Sequence, residues 1–181
     1  MPKESNFVEI ALNVAKRMLK PPLSIERGAA LLYQITIDNQ LNITVNPKQP
    51  MRGSSAFQTD LCIFERKSDE IIIPRVVFEF KTRITTHDVI TYSAKARKHK
   101  QIYPYLRYGI IASDISIVPS RLFTHNESLD FCAAVSNIKS NKLKLFISKL
   151  IESEINTSWL LEAIAFGSVN TRLFRTEIII E

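Results

Sequence analysis

The chain has 181 residues, 45% of them apolar and 23% charged, with 24 Lys and Arg against 18 Asp and Glu for a formal net charge of +6. That apolar content suffices for the packed core of one domain and excludes a disordered chain. No run approaches the roughly 18 apolar residues that span a bilayer, and two cysteines, Cys62 and Cys132, exclude a disulfide-stapled scaffold and fit a reducing, cytoplasmic compartment.

Phe7, Ile10, Ala11, Val14, Met18 and Leu19 recur at helical spacing, which predicts a first helix ended by Pro21-Pro22. Ser24 can cap a second helix running through Ile25, Ala29, Leu32 and Tyr33 and giving way near Asp38. Residues 42–45 read as a short strand, and 46–55, with Pro47, Pro50 and Gly53, as a loop. Residues 57–64 and 71–84 are rich in β-favouring side chains and flank a polar run, so they are expected to form two antiparallel strands joined by a turn. Residues 86–101 follow as a helix, with Val89, Tyr92, Ala96 and His99 able to share a face and Pro104 beyond its end. Strands are expected over 108–117 and 129–135, helices over 139–154 and 158–166, and a terminal strand over 172–180.

The charge is not evenly spread. Between Arg75 and Tyr108 stand eight cations, Arg75, Lys81, Arg83, Lys95, Arg97, Lys98, Lys100 and Arg107, against Glu79 and Asp88, and this window holds the whole net charge. Tyr92, His99, Tyr103, Tyr105 and Tyr108 are interleaved with them, a composition suited to phosphates and sugars, so nucleic acid is the expected partner. The competing reading of the same residues is a solvated helix face over core tyrosines.

Within Val76-Val77-Phe78-Glu79-Phe80-Lys81 side chains alternate between faces, which puts Glu79 and Lys81 on one side of an otherwise apolar strand. Asp60 interrupts the preceding apolar strand in the same way, and pairing of the two strands would bring the carboxylates together. Oxygen ligands from Asp60, Glu79 and the Phe80 backbone carbonyl suit a hard divalent cation, with Lys81 placed to orient a water or offset charge on a phosphate. Phosphodiester hydrolysis is the reaction such a set serves. The pattern recurs at Glu65-Arg66-Lys67, where the polar turn leaves it solvated, and the plainer alternative at Glu79 and Lys81 is a salt bridge within the sheet. The dispersed His87, His99 and His125 and the lone cysteines offer no zinc motif, no Gly-rich phosphate loop occurs, and Trp159 is expected in the core.

Asp60, then Glu79-Phe80-Lys81, then a basic helix and a further strand resemble the PD-(D/E)xK nuclease superfamily, with Thr59 standing where its name has proline. The resemblance covers roughly residues 24–117. It implies a single α/β domain over 1–181, a central mixed β-sheet flanked by helices with the restriction endonuclease-like core, and residues 118–181 as helical and strand additions. It also implies Mg²⁺, with Mn²⁺ as substitute, bound by Asp60 and Glu79, water activation by Lys81, and Glu26 as an acidic ligand from an earlier helix. Gln101-Ile102-Tyr103-Pro104-Tyr105 matches the Gln-x-x-x-Tyr element of RecB-like and Cas4-like branches, which adds Gln101 and Tyr105 to Arg83, Lys95, Lys98 and Lys100 as expected DNA contacts. The activity implied is a metal-dependent DNA endonuclease of type II restriction kind, a homodimer with a cognate methyltransferase and no membrane. The alternatives are a structure- or end-directed repair or recombination nuclease of the same fold, a DNA-binding module without catalysis, and an interaction subunit that uses the fold as scaffold.

Overall fold

The computed structural model describes residues 4–173 and 178. Its elements in chain order are α1 (Glu4–Met18), β1 (Leu23–Arg27), β2 (Ala30–Leu32), β3 (Ala56–Gln58), β4 (Leu61–Arg66), β5 (Ile72–Lys81), α2 (Thr86–Ile102), β6 (Arg107–Ala112), α3 (Ser120–His125), β7 (Phe131–Ala134) and α4 (Ser140–Ala165). Five strands form a mixed sheet in the order β1-β4-β5-β6-β7, antiparallel on the β1 side of β5 and parallel on the β7 side. The expected class, α/β with a central mixed sheet flanked by helices, is the one observed. No helix among the described residues is long and apolar enough to cross a membrane.

Period-two alternation along β5 divides the interior into two layers. Val76, Phe78 and Phe80 face α1 and α4, where Phe7, Ala11, Ala15, Ile147 and Ile151 are buried against them. Val77 faces the other way, with Cys62, Tyr108, Ile110 and Ala112, and is covered by Val89 and Ala96 of α2. A capping box fixes the start of α2: Thr85 Oγ1 accepts from the Asp88 backbone N–H, and Asp88 accepts from the Thr85 N–H.

The helix expected to start at Ser24 is instead two strands. Register is continuous through them, Glu26 opposite Cys62 and Ala30 opposite Gln58, so β1-β2 and β3-β4 are one antiparallel ribbon. The ribbon bends where Gly28 donates to the Asp60 carbonyl at 3.1 Å. Gly28 has φ +69°, and a Cβ there would stand 2.9 Å from the Gln58 amide nitrogen, so the bend favours glycine, which is also a poor helix former. The bend also splits the strand expected over 57–64 and leaves Asp60 at the junction of two sheets. Residues 42–45 form only the isolated bridge Ile37–Ile43.

In β5 the ladder carries an extra residue. Ile63 pairs with Val76 but Phe64 pairs with Pro74, leaving Arg75 as a bulge, so that Arg75 and Val76 both turn to the α4 side. The two helices expected after 139 are one, because nothing between Glu154 and Ser158 stops α4. Trp159 is 39% exposed, not core, and the strand expected over 172–180 lies mostly outside the described residues.

Candidate active site

Leu61 pairs with Phe78, so the next step along the same antiparallel ladder sets Asp60 opposite Glu79. Asp60 is anchored there by the Phe80 backbone N–H, which donates to its Oδ2 at 2.8 Å. Glu79 is 2% exposed and its Oε1 accepts from the Tyr108 hydroxyl at 2.5 Å. Burial pushes the Glu79 carboxyl up to about 7, and the adjacent Asp60 adds to the rise both by its charge and by a hydrogen bond, while Tyr108 and Lys95 oppose it. Tyr108 is raised well above its ordinary value, again by burial first and then by Glu79, so its hydroxyl stays a donor. Two carboxylates thus touch, and one holds a proton near neutral pH.

Lys81 is half-buried, with its ammonium 5.2 Å from the centre of the Tyr92 ring and a hydrogen bond to the Tyr92 side chain. Asp60, Glu79 and Lys81 are therefore gathered at the C-terminal end of β5, as alternation along the strand requires. Phe80 sits between the two charged residues, its side chain in the opposite core. Behind the site, the His99 ring stacks on Tyr108 with centroids 5.7 Å apart and its Nδ1 bonds the Leu32 carbonyl at 2.7 Å. Burial lowers His99 to about 4, so it is a neutral plate supporting the tyrosine that holds Glu79.

The remaining expectations divide. Glu26 stands on a strand, not a helix; it is exposed, on the face of Cys62, and its charge and that of Glu79 add to burial in raising the Cys62 thiol. Because β4 separates β1 from β5, the strands carrying the two glutamates are about 10 Å apart. Among the described residues no group of three or more His, Cys, Asp or Glu is placed to hold a metal ion, so Glu26 does not complete a triad with Asp60 and Glu79. Lys95 lies over the Tyr92 ring and its charge acts on Glu79, while Lys98 lies over Tyr33 and Phe57. Lys100 is held by Asp130 at 2.6 Å and the Ser128 carbonyl at 2.7 Å. Arg83 is exposed and pairs with Asp114 at 3.1 Å. Tyr105 is 7% exposed and packs on Arg75, 5.1 Å from its guanidinium, four residues and about 13 Å along β5 from Glu79. With Gln101, which is exposed near the end of α2, it belongs to the far end of the sheet, so the Gln-x-x-x-Tyr match does not bring these side chains to the carboxylates.

The site also contains residues that were not expected there. Tyr108 is the main one; its signal was parity, since it lies one step from Glu79 on the same face of the parallel partner strand. Tyr33 and Phe57, stacked with centroids 4.0 Å apart, come from opposite sides of the 33–55 loop, a contact no local pattern announces.

No family model matches the chain, and no curated protein matches it.

Proposed function

We propose that this chain is a divalent-cation-dependent deoxyribonuclease of the PD-(D/E)xK type. The observation that carries the reading is the contact between Asp60 and Glu79 across paired strands, with Lys81 two residues beyond on the same face. Two touching carboxylates, one of them taking up a proton near pH 7, form a hard oxygen donor set whose mutual repulsion a divalent cation relieves, so these residues fit Mg²⁺ or Mn²⁺. Asp60, Glu79 and the Phe80 carbonyl would hold it. When bound, the ion supplies a more acidic water and positive charge against the scissile phosphate.

The chain's own groups have separate tasks. The Phe80 N–H fixes one Asp60 oxygen and leaves the other for binding. Tyr108 fixes one Glu79 oxygen in the same way. Lys81 orients the attacking water and stabilises charge that builds on the phosphate oxygens. Lys95 and Lys98 position the backbone of the strand.

The restriction version of this proposal adds a second copy of the chain, which cuts the opposite strand of a duplex, and a cognate methyltransferase. A version directed at ends or unusual structures needs neither, and the stacked rings beside the site favour it. The test is hydrolysis of supercoiled plasmid and of a labelled single strand in Mg²⁺ against EDTA, with Lys81→Ala alongside. Metal-dependent cleavage by the wild type and none by the variant is expected; equal cleavage by both, or none by either in Mg²⁺ and Mn²⁺, sinks the proposal.

A further inference from the structure

A ribbon of rings and ammonium groups leads away from the carboxylates along α2. Tyr92, Lys95 and Lys98 recur every third residue, spanning about 9 Å of helix. Lys81 lies over the Tyr92 ring at 5.2 Å, Lys95 at 4.9 Å from Tyr92 and 5.6 Å from Phe57, and Lys98 at 4.8 Å from Tyr33 and 5.8 Å from Phe57. Tyr33, Phe57, Tyr92 and Lys95 are half-buried and Lys98 is exposed, so the ribbon meets solvent along its length.

Charge sets this ribbon apart from the rest of the basic window. Arg75 is neutralised by Glu65 and Glu162, Lys100 and Arg107 by Asp130 and Glu154, Arg83 by Asp114, and Arg97 by Glu127. Among the described residues Lys95 and Lys98 have no carboxylate within ion-pair distance and lie on aromatic faces instead. Positive charge over π-faces, outside any ion pair among the described residues and continuous with the proposed cleavage site, matches the way proteins hold a strand whose bases are free to stack. A duplex offers phosphates to the lysines but not base faces to the rings, because its bases already stack on one another.

We propose that the Tyr33, Phe57, Tyr92, Lys95 and Lys98 ribbon is a single-strand track that seats unpaired DNA next to the scissile phosphate, making single-stranded DNA the preferred substrate. The inference rests on the nuclease reading and deepens it. It is tested on the full chain by fluorescence anisotropy in EDTA, with a fluorescein-labelled oligothymidylate and a blunt duplex of equal length. Tighter binding of the single strand is expected. Phe57→Leu, which keeps an apolar side chain at the site, weakens single-strand binding about tenfold. Lys95→Gln and Lys98→Gln each flatten the dependence of log affinity on log salt by about 0.7. Arg97→Gln, on the same helix but paired to Glu127, is the control for loss of one charge. Thermal melting of every variant separates lost binding from lost folding. Duplex affinity equal to or above that of the single strand overturns the track, as do equal effects of Phe57→Leu and Arg97→Gln. A chain that prefers single strands through these residues but hydrolyses nothing in Mg²⁺ supports the track and overturns the nuclease reading instead.

Discussion

The two ends of β5 carry charge in opposite ways. At the Arg75 end, Lys67, Arg75, Lys100 and Arg107 meet Glu65, Glu162, Asp130 and Glu154 in two networks. Burial works against Glu65, but hydrogen bonds from Trp159, Lys67 and Arg75 hold its carboxyl below the ordinary value. At the Glu79 end two carboxylates face each other, and the nearest ammonium groups rest on rings. The first end sets each carboxylate against a cation; the second sets a carboxylate against a carboxylate. A strand can therefore hold charge in two ways a few residues apart, in ion pairs at one end and in a carboxylate pair braced by Tyr108 and the Phe80 N–H at the other.

The sharpest way to break this contrast is to change both ends and read activity and stability separately. Asp60→Asn or Lys81→Ala should reduce the initial rate of Mg²⁺-dependent nicking by roughly a hundredfold to a thousandfold. A rate within a few-fold of wild type would place the chemistry elsewhere. Arg75→Met removes a cation with no exposed surface and leaves Glu65 and Glu162 only Lys67 and Trp159 as partners among the described residues, so denaturant melts should show a loss of about 3 kcal/mol. An unchanged midpoint would show that the network is not what holds this end.

Glu79→Gln should act in the reverse sense. A carboxyl held up to about 7 in the folded chain, against an ordinary 4.5, keeps its proton where the unfolded chain has lost it. Stability from this group is therefore undiminished below pH 4.5, falls as pH rises from 4.5 to about 7, and stays low above that. The glutamine variant, which can still accept from Tyr108, should lack this slope and exceed wild type by on the order of 3 kcal/mol at pH 8 while losing activity. Parallel melting curves of the two proteins across that range would remove Glu79 from its assigned role. The smallest effect sharpens the other end: Trp159 Nε1–H donates to Glu65 at 2.7 Å, and Trp159→Phe should cost about 1 kcal/mol in the same melts.

What the sequence disclosed depended on how local the cause was. Alternation along Val76 to Lys81 is a property of consecutive residues, so the faces of Glu79 and Phe80 could be read directly. The pairing of Asp60 with Glu79 needed only a hairpin between neighbouring strands. Ile25, Ala29 and Leu32 satisfied a helical period, yet the stretch is also compatible with strands, and the bend at Gly28 decided for them. Arg75 looked like part of a DNA-facing surface because its neutralising partners lie 10 and 87 residues away. Tyr105 matched a motif by spacing, but the guanidinium on which it packs draws it to the wrong end of the sheet.

The bulge at Arg75 also constrains how this domain can change. Because the ladder there already accommodates an odd residue, the hairpin side of β5 can gain or lose length with the phase of Val76 to Lys81 preserved. An insertion of one residue between Val76 and Glu79 has no such relief. It would exchange the two faces, sending Glu79 and Lys81 into the apolar layer beneath α1 and α4 and turning Phe80 to the α2 side beside Asp60. Tolerance to indels along this strand should therefore be sharply asymmetric, permissive up to the bulge and intolerant beyond it.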